Sequence, residues 1–230
     1  MQSMATATRP YGGVTAEERR AARRAALIEA ALDLFAEDGA RAVSKRAVCA
    51  RARLNDRYFY EHFSDSDALL EAIVRDLTAE GLLAVNAAAS NAAPDIRSQV
   101  HATADAALDF LTADSRRGQL LLRSHTSEVL QHARLDSTRA ISNAMAAMIR
   151  DPLGAAAASE LDTDLAAFAL VSGAMEVIAG WLRGDFDTSR EHLADIVAGL
   201  LLAVPDISTA LPRHRAGAST GDPSDTGPLT

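Results

Sequence analysis

Lys45, Arg46, Arg57, Tyr58, Tyr60 and His62 crowd hydrogen-bond donors into the short span between Ser44 and Phe63. A guanidinium offers a planar fork of donors that fits a phosphate or the O6/N7 edge of guanine, and a tyrosine hydroxyl reaches a phosphate oxygen. The chemistry on offer is recognition of an anionic polymer. Ser44 and Asn55 stand at the starts of two short helical segments, running to Ala52 and Phe63, as capping residues. Helices this short are unstable alone and must fold against a longer one. That longer helix precedes them. Thr15 and Glu18 form a capping box, Leu27, Ala30, Ala31, Leu34 and Phe35 make a helical stripe, and Gly39 ends it. One bracing helix and one exposed helix, joined by a tight turn, make a helix-turn-helix.

Val48-Cys49, Ala52-Arg53-Leu54-Asn55, Tyr58-Phe59-Tyr60-Glu61-His62-Phe63 and Asp67-Ala68-Leu69-Leu70 together resemble the TetR family of bacterial transcription regulators. Two residues depart from that pattern. Arg53 stands where the family has a turn glycine, and Ser66 where it has a phosphate-binding lysine. The resemblance implies an all-α fold of about nine helices, with a three-helix DNA-binding domain followed by a ligand-binding and dimerisation domain. It implies DNA contacts from Ser44, Lys45, Arg46, Asn55, Asp56, Arg57, Tyr58, Tyr60, His62 and Ser66, with Tyr60 and His62 on backbone phosphate. The partners it implies are double-stranded, palindromic operator DNA, a second copy of the chain and a small-molecule effector. The function expected is a repressor released by a small apolar ligand. The alternative is a dimeric DNA binder without a switch, whose body only dimerises or meets a protein.

Charge distribution fits a protein that meets DNA at one pole. The chain of 230 residues carries a net charge of −8, yet residues 1–60 hold 11 basic against 7 acidic residues, a net of +4. Beyond residue 60 the balance is −12. Lys45 is the sole lysine, so the basic character is almost wholly arginine. Arg19, Arg20, Arg23 and Arg24 form a run that reads either as a solvated face or as a grip on flanking phosphates. A single cysteine, Cys49, excludes an internal disulfide and reads as an inert core thiol. No run of apolar residues long enough for a membrane span and no signal peptide stands out, so the expected location is cytoplasmic. No phosphate loop, nucleophile elbow or metal-ligand spacing is found, and neither an enzyme nor a cofactor is expected.

The organisation expected is a disordered arm over 1–14, a helix-turn-helix domain over 15–63, a sensing and dimerising body over 64–204 and a disordered tail over 205–230. Within the body, Asp65 or Ser66 opens a helix running to about Ser90, and Asp95 opens the next. A loop spans Asp114–Gly118 before a helix from Leu120 to about Glu128. A further helix ends at Asp151-Pro152-Leu153-Gly154, and the last two span about Leu161 to Arg183 and Thr188 to Val204. These last two are apolar on every side, which requires burial on every side. Trp181, Leu193, Ile196, Val197, Leu200 and Leu201 are therefore expected at a two-fold four-helix interface. His101, Phe110, His125, Met145, Met148 and Met175 are the candidates for a ligand pocket, since flexible methionine suits an adaptable apolar site.

Overall fold

The computed structural model describes residues 15–153 and 159–210. The arm over 1–14 and the tail from 211 onward, both expected to be disordered, lie outside the described residues. The helices run α1 Ala16–Asp38, α2 Lys45–Ala52, α3 Asp56–Tyr60, α4 Ser66–Asn91, α5 Ile96–Ala113, α6 Ser115–Leu122, α7 Glu128–Leu153, α8 Glu160–Arg183, α9 Arg190–Leu202 and α10 Val204–Ala210. Short 3-10 turns sit at Ala40–Ala42 and Ser124–Thr126. Among the described residues the fold is all-α, with the nine expected helices in order and a short tenth after them.

Side-chain caps set most of the boundaries. Thr15 and Glu18 close a reciprocal capping box on α1, and Ser44, Asn55, Asp65 and Asp95 each accept a backbone N–H at a helix start. Satisfying one otherwise orphaned N–H is worth about 1 kcal/mol. Leu27, Ala30, Ala31, Leu32 and Phe35 of α1 bury against Val48, Cys49, Phe59, Phe63, Leu69, Leu70 and Ile73. This is the core of the head (α1–α3 with the start of α4). A second core joins α5, α7, α8, α9 and α10 through Val100, Leu108, Met145, Val171, Ile178, Leu193, Val197 and Val204.

Four expectations need correction. Asp114 accepts the N–H of Arg116 and starts α6 at Ser115, so the anticipated loop is the helix's first turn. Pro152 lies in the last turn of α7 instead of ending the helix before it. Pro205 does not end order either. It stands in the first turn of α10, where its missing N–H would have no partner in any case, and α10 continues to Ala210. Finally, α8 is long and apolar enough in composition to cross a membrane. Its Ala167, Val171, Ala174 and Ile178 pack instead within the body's core.

Arg53, in the family's glycine position, adopts φ 55 and ψ 39 and is the only non-glycine residue with positive φ among those described. Its Cβ costs about 1–2 kcal/mol in this left-handed region. It is tolerated because its N–H bonds the carbonyls of Cys49 and Ala50 and so ends α2 where the turn to Asn55 must begin. Arg53→Gly is expected to raise stability by about 0.5–1 kcal/mol after the larger chain entropy of glycine is subtracted, and Arg53→Val to lower it. Urea unfolding of the two variants against the parent chain checks both signs.

Candidate functional site

The head is held together by the arginines that charge alone left ambiguous. Arg20 donates to the carbonyl of Glu61 at 3.2 Å, and Arg23 bonds the Glu61 carboxylate at 3.3 Å while its guanidinium lies 4.6 Å from the centre of the Tyr58 ring. Arg24 bonds Asp76 of α4 at 2.6 Å. These residues clamp α1 to α3 and α4. Three members of the run are therefore engaged inside the protein rather than arrayed as a phosphate patch.

What remains outward is carried by α2 and α3. Arg46 is exposed, the Arg57 side chain is 84% exposed with one long contact to Glu61, and Tyr60 is 60% exposed. Lys45 is drawn into a local cluster. Its ammonium lies 2.6 Å from Asp56 and 3.3 Å from the Tyr60 hydroxyl, and these bonds hold its pKa above the usual lysine value. Ser44 and Asn55 spend their side-chain oxygens as caps. Tyr58 is half-buried beneath Arg23.

Two expected phosphate ligands are turned to other uses. His62 is half-buried, its Nε2 is buried without a partner, and burial with the positive charge of Arg20 keeps its imidazole below the ordinary histidine pKa. A neutral imidazole with its Nε2 turned inward is a poor phosphate grip. Ser66 is the first residue of α4, but Asp65 caps that helix by accepting the Ala68 N–H at 2.8 Å. A carboxylate thus occupies the helix end where a phosphate would otherwise be drawn. Cys49 is buried, and burial raises its thiol pKa, which suits an unreactive core residue.

Below the head, α4 to α9 enclose a cavity of about 200 Å³. Of the six residues expected at a ligand pocket, Phe110, Met145 and Met175 line this cavity, but His101, His125 and Met148 do not. His101 faces Asp195 of α9 at 3.5 Å, His125 is exposed on the 3-10 turn before α7, and Met148 packs in the body core. Counting histidines and methionines by helix could not separate these, because the face each occupies depends on register. The wall against α8 and α9 is buried at Val171, Ile178, Val197 and Leu201, whereas Leu82 of α4 and Ile141 of α7 are half-buried. A surface groove between α4 and α7 shares Thr78, Leu82 and Ser137 with the cavity, so the entrance lies there. The hydroxyls of Thr78 and Ser137 meet across it at 2.7 Å.

Val197 and Leu201, expected at a dimer interface, are cavity wall instead, and Leu193 is 2% exposed in the chain's own core. Trp181 is half-buried and donates its indole N–H to the Thr188 carbonyl at 3.0 Å, pinning the turn between α8 and α9. The three on α9 were misread because that helix carries two apolar stripes, and only the one through Ile196 and Leu200 faces outward. Leu161 and Leu165 of α8 and Ile196 of α9 are exposed, and Gly173 and Gly199 have open space where a side chain would project.

The family pattern described as bacterial regulatory proteins of the tetR family matches residues 27–73, the segment whose core and caps are set out above. Over residues 27–73 the chain carries the tetR-family segment. An HTH-type transcriptional repressor of Mycobacterium tuberculosis is 42% identical over 53 residues, covering 23% of this chain and 28% of that protein. The chain thus spans about a quarter of the length of the curated relatives it matches. Solved structures extend the likeness to the whole fold. A putative TetR-family regulator from Syntrophomonas wolfei aligns with a TM-score of 0.69 at 14% identity, covering 81% of this chain and 96% of that one. The regulator FadR from Bacillus subtilis, solved in complex with stearoyl-CoA, aligns with a TM-score of 0.64 at 13% identity, over 78% and 98%.

The head and the cavity share material. Leu120 of α6 and Leu130 of α7 belong to the head's core and also line the cavity. Sequence reading missed both, since neither lies in a motif. Leu120→Ala is expected to destabilise the protein by about 2–3 kcal/mol, near the low end for a buried leucine because one side already borders empty space. Equilibrium unfolding measures it; a variant as stable as the parent would mean that Leu120 is not packed as described.

Proposed function

We propose that this chain is a homodimeric, operator-binding transcriptional regulator, acting as a repressor that a small apolar molecule releases from DNA. The observation that carries DNA binding is the exposed Arg46, Arg57 and Tyr60 on a capped two-helix unit within the family-matched segment. With Lys45 offset by Asp56, Arg46 and Arg57 supply the local charge, and Arg46 is suited to a guanine edge. Tyr60 is suited to backbone phosphate through its hydroxyl. Dimerisation is supported by the exposed apolar residues on α8 and α9, and a two-fold operator requires it. The apolar cavity favours the switched reading over a DNA binder without an effector. Stearoyl-CoA in the FadR neighbour gives a precedent for a ligand with a long apolar chain on this fold.

The test begins by enriching double-stranded sites from random sequence with the full chain. Against the enriched site, Arg46→Ala is expected to weaken binding by about 1–3 kcal/mol and relax preference at one base position. Tyr60→Phe is expected to weaken enriched and random DNA alike. No enriched site, or two variants that bind as the parent does, would overturn the DNA assignment.

For the dimer, Ile196→Glu introduces a carboxylate onto the outer apolar face, which a tight interface could not solvate. The parent is expected to sediment as a dimer at sub-micromolar concentration and the variant as a folded monomer. A dimeric variant would move the interface elsewhere.

A further inference from the structure

Thr103 lines the cavity, is 8% exposed, and its hydroxyl makes no hydrogen bond. That is unusual in this molecule. Thr78, Thr112, Ser137, Thr138, Ser142 and Ser172 all turn their hydroxyls back onto the carbonyl four residues earlier. Buried polar groups nearly always find a partner, and leaving one without costs stability. Thr103 shares one helical stripe of α5 with Ala107 and Phe110, both of the cavity wall. The charged groups of the wall are not free in the same way. Arg117 donates to the Phe110 carbonyl at 2.9 Å, lies 4.0 Å from the centre of that ring and pairs loosely with Glu80. Arg134 is paired with Glu176.

The geometry points to an effector that is uncharged and mostly apolar, with one oxygen that hydrogen-bonds the Thr103 hydroxyl. This rests on the reading of the cavity as an effector site and narrows it. A carboxylate or phosphate seated among these apolar walls would need a free counter-charge, and both arginines already have carboxylate neighbours. A hydroxyl or carbonyl on an otherwise apolar molecule needs only one donor or acceptor, and Thr103 supplies either.

The probes are n-octane, 1-octanol and octanoate at pH 8, titrated into the full-length dimer and read as dissociation constants from thermal shifts. In the parent chain 1-octanol is expected to bind about five- to tenfold tighter than octane, the worth of one net hydrogen bond, and tighter than octanoate. Thr103→Val removes the hydroxyl at nearly constant shape. It should abolish the advantage of 1-octanol while leaving octane affinity unchanged, and Thr103→Ser should restore it. Without probe, Thr103→Val should melt at or above the parent temperature, because an unsatisfied group has been removed. A lower melting point would mean the hydroxyl has a partner within the protein, which would overturn the proposal. So would tightest binding by octanoate, or a 1-octanol preference that survives Thr103→Val. Octane and 1-octanol both failing to bind would instead overturn the reading of the cavity as an effector site, and this inference with it.

Discussion

Leu120 and Leu130 each face two ways, and the rest of the molecule follows from that. A three-helix head with α2 and α3 this short has little apolar surface of its own. It completes its core with leucines from α6 and α7, which are also walls of the cavity beneath. Val74 and Leu77 of α4 do the same from the partly buried layer. Packed interiors do not deform continuously, so whatever repacks the cavity repacks the floor of the head. Under the proposed function, the seam between the two cores is what would carry a change from the cavity to the head.

Electrostatics reinforce the seam at one place. Arg116 of α6 reaches Asp33 at 2.7 Å and Glu29 at 2.9 Å on α1, and is oriented by Asp114. Arg123, at the end of the same helix, donates to the Phe35 carbonyl of α1 at 3.3 Å. The neighbouring Arg117 faces the cavity and stacks on Phe110, whose ring lies so close to Gly81 that a Cβ there would stand 3.3 Å away. One short helix and its cap thus grip α1 through Arg116 and Arg123 and a wall of the cavity through Arg117. These pairs are partly exposed, so each is worth little alone, and their effect is orientation. Coupling of about 1–3 kcal/mol between cavity and head would change operator affinity roughly 5–150-fold.

Much of this was legible in the chain. Caps at Thr15, Ser44 and Asn55 announced the first three helix starts, because capping is a local interaction between residues three apart; the start of α4 was left between Asp65 and Ser66. The head was legible because its motif is local as well. The cavity was not. His101, His125 and Met148 sit on helices of the right region but on wrong faces, and only packing against α8 and α9 decides which face is inner. The same ambiguity sent Leu193, Val197 and Leu201 to an interface, because burial inside the chain and burial against a partner leave the same mark on a sequence. His62 was misread for a related reason. Its place in the motif is legible, but the burial that lowers its pKa comes from tertiary packing, with the positive charge of Arg20 adding to it.

The shared wall is the central claim, and amide hydrogen exchange addresses it most directly. With the full-length protein at saturating 1-octanol, protection should change not only in α5, α8 and α9 but also across Leu27–Phe35 of α1 and throughout α6. Change confined to α5, α8 and α9, with α1 exchanging as it does without the alcohol, would contradict a cavity and a reading head that share one core.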